Sequence, residues 1–144
     1  MKNVTLDFHG TKMTIKVLTT ETDGVYTIIH FVHPPNVGPE LHIHPKNPES
    51  FHIINGNYKF LIGNTNLDAV AGDTVIVPKG IPHKFSAGDG GGEFLVISPP
   101  TLENYFYEVS RLLMKGVVTL DTEYTIAKKY GQIFLENANH WKSS

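Results

Sequence analysis

From residue 4 to about residue 98 the chain alternates polar and apolar side chains with a period of two, and turn chemistry interrupts that alternation roughly every eight to twelve residues. The interruptions read "FHGTK", "ETDG", "HPPNVGP", "IGNTN", "AGD", "PKGIP" and "AGDGGG". In an extended chain successive side chains point to opposite faces, so this pattern marks strands with one buried face. Many short strands of that kind leave a sandwich or a barrel as the architecture. The expected strands are residues 4–8, 13–18, 25–32, 41–44, 50–54, 58–62, 74–77, 83–86 and 94–97, and "GDGGG" reads as a mobile loop tip.

After "SPPTLEN" the period changes. Leu102, Tyr105, Phe106, Val109, Leu112 and Leu113 fall three or four apart, which predicts an amphipathic helix over 102–115, begun after a double proline and ended by Gly116. A second helix is expected from an N-cap at Asp121 or Thr122 to a stop at Gly131, with Lys128 and Lys129 in its last turn, where cations complement the helix dipole. At 144 residues the chain is long enough for one full core and short for two. The division expected is therefore a β-barrel or sandwich over 1–100, with 101–144 as a helical extension of the same domain.

The formal net charge is -2, and the lysines are scattered singly apart from Lys128 and Lys129. No electropositive stripe is available to neutralise phosphates, which argues against nucleic acid as a partner. The chain has no cysteine, which excludes disulfides, thiolate metal sites and cysteine nucleophiles. The opening "MKNVTLDFHG" alternates and reads as strand instead of signal peptide, and no window approaches the roughly 20 apolar residues of a spanning helix. A soluble cytoplasmic protein without a membrane partner is the expectation.

Chemistry concentrates in "ELHIHPKNPESFHIINGN", residues 40 to 57. On a strand His42 and His44 share a face, and after "PKNP" a second strand puts Glu49, Phe51 and Ile53 on one face. Folding the second strand beside the first brings two imidazoles and a carboxylate within the roughly 2 Å bond lengths of a divalent metal. An HxH pair alone also fits two histidines on a solvated strand. A second segment, "GDTVIVPKGIPH", changes the weighting, because turns at Gly72 and at Pro78–Gly80 deliver His83 at the start of another strand.

These two segments resemble the paired motifs of the cupins, small β-barrels of jelly-roll type. His42, His44, Glu49 and Gly56 match the first motif in type and spacing, and Gly72, Pro78, Gly80 and His83 match the second. Two positions depart: the leading glycine falls on Asn36, with Gly38 two residues on, and the closing Asn of the second motif is Ala87. Asn tolerates the left-handed conformation best after Gly, so the turn survives, and the closing Asn is not a ligand position. The tail "SPPTLENYFYEVSRL" and the later "AKKYGQIFL" look like the extension of single-domain cupins similar to quercetin dioxygenases. The resemblance implies an all-β, double-stranded β-helix (jelly-roll) cupin barrel with a short C-terminal helical extension. It also implies one divalent transition metal (Fe, Mn, Ni, Co, Cu or Zn) on His42, His44, Glu49 and His83. The fold by itself does not fix the reaction.

Three neutral imidazoles and one carboxylate suit a borderline divalent ion and leave a net charge near +1, with room for exchangeable ligands. The first functional expectation is a dioxygenase acting on a small enol, phenol or diketone, with Glu49 as ligand and proton acceptor. The second keeps the metal as a Lewis acid in an isomerase, lyase or decarboxylase; the third is a ligand-binding domain without turnover. His30, expected to point inward with Tyr26 and Ile28, is a candidate substrate contact, and Phe51, Phe60 and Phe85 share the parity of pocket-facing positions. Glu40 shares the His42 face, yet at a loop edge it reads more simply as solvated; His52 lies opposite Glu49, and His9, His33 and His140 read as solvated. The one arginine, Arg111, falls in the helical tail, which argues against a phosphate-rich substrate. A homodimer is expected, on the reading that Ile29 and Phe31 lie on an apolar face the barrel cannot cover itself.

Overall fold

The computed structural model describes residues 1–136. In chain order its elements are β1 (Thr5–Phe8), β2 (Thr11–Val17), a 3-10 turn (Thr19–Thr22), β3 (Thr27–His33), β4 (His42–Ile43), β5 (Glu49–Ile62), β6 (Thr65–Val70), β7 (Thr74–Val77), β8 (His83–Ser98), α1 (Leu102–Lys115), α2 (Leu120–Lys129) and β9 (Ile133–Phe134). All the pairings are antiparallel.

Two long strands curl the sheet into a barrel. The first half of β5 pairs with β7 (Glu49 opposite Val77) and its second half with β6 (Asn57 opposite Val70). β8 does the same from the other side: residues 92–98 pair with β3, while His83 pairs with His42 of β4. The two long strands also pair with each other along most of their length, with register shifts at Ile53/Asn55 and Gly56/Tyr58. Such bulges bend a strand, so β5 and β8 pass from one face of the barrel to the other. The result is a jelly-roll barrel with the helices packed against it.

Alternation fixes which side chains fill the interior. Leu6 and Phe8 of β1, Met13 and Ile15 of β2, and Ile29 and Phe31 of β3 are buried, as are Phe51, Ile53, Phe60, Phe85, Phe94 and Val96. Each fully buried phenylalanine contributes about 2 kcal/mol of transfer free energy. The helix α1 closes one side by setting Phe106 against Phe8 and Phe31, with ring centroids 5.1 and 5.6 Å apart. Its Glu103 carboxylate accepts from the Thr19 backbone N–H at 2.6 Å and the Thr19 hydroxyl at 2.7 Å, tying the helix start to the 3-10 turn.

Several elements differ from the sequence reading. Residues 50–54 and 58–62 form one strand, and residues 83–86 and 94–97 another, so "AGDGGG" is strand and not a mobile tip. Two of its glycines are there for contact: a Cβ on Gly91 would stand 2.6 Å from His33 O, and one on Gly92 2.5 Å from the Tyr58 ring, where β8 crosses β5. β6 and β9 carry too little alternation to be seen in sequence, β6 being mostly exposed. α1 spans the residues expected, whereas α2 begins earlier, its N-cap being Thr119, whose Oγ1 accepts from Thr122 N–H.

The phase of β3 is also the reverse of the one expected. Thr27, Ile29, Phe31 and His33 point inward, which leaves His30 on the outer face. Ile29 and Phe31 are therefore covered by the barrel's own core and give no reason for a dimer.

Candidate metal centre

The four candidate ligands arrive from three strand starts. His42 lies on β4, His44 just beyond it, Glu49 opens β5 and His83 opens β8. His42 and His83 are direct cross-strand partners with ring centroids 4.3 Å apart, and the His44 ring lies 5.2 and 5.3 Å from them. The two motifs are stitched together by the backbone, since Gly80 N–H donates to His44 O at 2.9 Å. Upstream, Asn36 adopts the left-handed conformation at φ 61°, and Gly38 packs so closely that a Cβ would stand 1.7 Å from Phe85 O.

All four residues are buried, and one donor atom from each lies within 4.8 Å of the others. His42 Nδ1 meets Glu40 O at 2.7 Å and His83 Nδ1 meets Ile81 O at 2.9 Å. A carbonyl accepts, so Nδ1 carries the proton in both rings and Nε2 keeps its lone pair. His44 Nε2 and His83 Nε2 lie 3.3 and 3.4 Å from Glu49 Oε1, and neither has a hydrogen-bond partner. Ligands about 2.1 Å from one ion, at angles between octahedral and tetrahedral, stand roughly 3.0 to 3.4 Å apart. Buried nitrogens left unpaired at that spacing fit a shared cation, and the donor set suits a borderline divalent ion.

Electrostatics agree with that fit. Burial pushes His42 well below its ordinary pKa, helped by the neighbouring His83 and His44, so the ring is neutral and free to ligate. Burial alone raises the Glu49 carboxyl, but His44 and His83 outweigh it and hold the group well below the usual carboxylate range. Glu49 Oε2 accepts from the Ser98 hydroxyl at 2.9 Å, which turns Oε1 toward the histidines.

A small cavity adjoins the cluster, enclosing about 30 Å³ open to a water-sized molecule. Its wall is aromatic, from Phe31, Phe51, Phe85, Phe94, Phe106 and Phe134, and its polar groups beyond the cluster are Ser98 and Gln132. Phe51 and Phe85 thus face the cluster, while Phe60 sits behind them with its ring 5.2 and 5.7 Å from theirs. His30 is elsewhere, on the outer face with its Nε2 2.6 Å from Glu93 Oε2. Glu40 is buried instead of solvated, and its Oε1 accepts from the Tyr124 hydroxyl. His33 is buried against Phe85 and Phe94 with its Nδ1 2.7 Å from Tyr58 Oη, and His9 pairs with the buried Glu123. His52, on the outer face, bonds Thr74 Oγ1 at 2.9 Å, and His140 lies outside the described residues.

Sequence reasoning missed Ser98, Gln132 and Phe134. Ser98 shares the parity of Phe94 and Val96 and was within reach of the alternation. Gln132 and Phe134 reach the cavity only because β9 pairs with β4, Phe134 opposite His42, a contact no local pattern announces.

Comparison with known proteins follows the same line. Residues 29–98 match the family model described as Cupin domain. A search of curated proteins returned no match. Among solved structures, KdgF from Halomonas sp. aligns with TM-score 0.58 at 14% identity, over 66% of this chain and 84% of its own. A predicted oxalate decarboxylase from Thermotoga maritima aligns with TM-score 0.55 at 21% identity, over 60% of this chain and 77% of its own. The Lactobacillus farciminis oxalate decarboxylase formate complex aligns with TM-score 0.56 at 24% identity, over 67% of this chain and 31% of its own. At these identities the likeness is one of fold. Motif, family match and fold together support the cupin superfamily, and the fold is that of a cupin barrel.

Proposed function

We propose that the chain is a metal-dependent cupin dioxygenase, of the quercetin dioxygenase-like kind, acting on a small enol, phenol or diketone. The observation that carries this reading is the pair of unpartnered imidazole nitrogens, His44 Nε2 and His83 Nε2, converging on an ionised, buried Glu49. His42, His44, Glu49 and His83 would hold one divalent ion, which when redox-active supplies the means to activate a bound enolate or phenolate toward dioxygen. The chain's own contributions are separate from the ion. Glu49 serves as ligand and as proton acceptor, Ser98 fixes its orientation, and the phenylalanine walls exclude bulk water.

A second reading, a non-redox decarboxylase, lyase or isomerase, draws on the oxalate decarboxylases among the structural neighbours. Oxygen uptake by iron-, nickel- or copper-loaded protein in the presence of acetylacetone or a catechol tests the first reading. Turnover with zinc and no uptake of oxygen favours the second, because zinc carries no redox chemistry.

The proposed assembly is a homodimer, through a face other than the one first expected. Ile76, Ile97, Ile54 and Val32 are exposed on the outer side of β7, β8, β5 and β3, and the register sets Ile28, Ile97, Ser50 and Ile76 in one row. A second copy of the same face would cover them symmetrically. Among the described residues no helix is long and apolar enough to cross a membrane, and the proposed location is the cytoplasm.

A further inference from the structure

Gln132 is 4% exposed and lines the metal-side cavity. Its backbone N–H donates to Ala127 O at 2.9 Å, yet among the described residues its side-chain amide has no hydrogen-bond partner. The residue lines the cavity, so the amide is available to hydrogen-bond a ligand held beside the cluster. The wall next to it is Phe134, whose ring lies 5.4 Å from His42 and stacks on Tyr124 at 4.4 Å.

Charge narrows the ligand further. Among the described residues neither lysine nor arginine lines the cavity, and Glu49 is its one carboxylate. A divalent ion with Glu49 leaves a net charge of about +1, which a monoanion cancels. A dianion would leave a buried negative charge with no cation to pair it, and that is strongly unfavourable. Size acts in the same direction: about 30 Å³ admits roughly two water molecules, so a larger body enters only if an aromatic wall residue gives way, and Phe134, on the short β9, is the wall residue next to Gln132 in the chain.

Resting on the metal reading above, we infer that Gln132 and Phe134 set ligand class at this site. The preferred ligand is a compact monoanion that meets the ion at one end and hydrogen-bonds the Gln132 amide at the other. Dianions are rejected, and Phe134 limits the length of what enters.

Anaerobic titration of cobalt(II)-loaded protein, followed by the cobalt visible bands, tests this with azide, acetylacetone and oxalate as probes. Azide should bind at least about tenfold more tightly than oxalate. Gln132→Leu should weaken azide about three- to tenfold, the worth of one hydrogen bond, without changing cobalt content. Phe134→Ala should speed acetylacetone association about tenfold and leave azide unchanged. If Phe134→Ala loses its fold, seen as lost cobalt and altered circular dichroism, Phe134→Leu asks the same question with a smaller change. Oxalate binding as tightly as azide, or azide affinity indifferent to Gln132→Leu, would overturn the inference. Oxygen plays no part in these titrations. Protein that selects azide over oxalate but never consumes dioxygen would sink the dioxygenase reading and leave this one standing.

Discussion

Each of His42 and His83 is oriented by a carbonyl two residues upstream, Glu40 O and Ile81 O, so local backbone sets the tautomer before any ion is considered. That arrangement predicts that His42→Ala or His44→Ala loses metal without losing the fold, because the barrel core is built from other residues. Elemental analysis should show metal falling from about one equivalent to near zero while circular dichroism holds. An unfolded variant would make the ion structural instead. His33 carries a second prediction. Burial pushes its pKa down to about 3, against about 6.5 in the unfolded chain. Between those values the unfolded state binds a proton that the folded state refuses, so stability is full above pH 6.5 and falls as pH drops toward 3. The slope from this one group is up to about 1.4 kcal/mol per pH unit, and His33→Asn should lessen the pH dependence of urea melts taken at pH 7 and pH 5 by that share, the buried His42 keeping its own. Tyr58 is the polar partner of that ring, and its own pKa is raised by burial and by Glu93. At this scale the convergence of the four candidate residues was legible, since the spacing of an HxH pair and a downstream Glu survives any choice of register. The opposite roles of His30 and His33 were not. Thr27 is buried with its hydroxyl on Val17 O, while apolar Ile28 and Val32 face outward, so hydrophobicity alone gave β3 no phase.

β5 and β8 carry most of the architecture, and both depend on glycine where they cross. Gly92→Ala should cost about 3 kcal/mol by driving a methyl into the Tyr58 ring, and a denaturant midpoint measures it. The helices are attached by a few polar contacts whose loss should be graded. Removing the Thr119 cap by Thr119→Ala should cost about 1 kcal/mol. Glu103→Ala should cost about 2 kcal/mol, since it strands two Thr19 donors in a buried setting. The period-3.6 stripe made α1 readable to the residue, whereas α2 was displaced because its cap lies before the acidic residues that first draw the eye. β9 is two residues long and is held by pairing with β4 and by Leu135 N–H on Leu41 O at 2.8 Å. Elements of that length have no period to read, which is why the wall of the cavity that they build went unseen.

Across the whole molecule, one aromatic interior joins the barrel core to the candidate site, with Phe51, Phe85 and Phe94 belonging to both. The class of fold was readable from turn spacing and paired motifs because both are local. The faces that remain outside were harder, since they depend on strand phase. The proposed dimer is tested by Ile97→Lys, which should convert a dimeric mass at micromolar concentration to a monomeric one; a monomeric wild-type protein would contradict it. The account as a whole depends on a single ion at the meeting point of β4, β5 and β8. Anomalous X-ray diffraction from crystals of metal-loaded protein tests that most directly. One peak is predicted, about 2.1 Å from a nitrogen of each of His42, His44 and His83 and from a Glu49 oxygen. Diffraction that showed no peak there, or placed the metal on other residues, would contradict it.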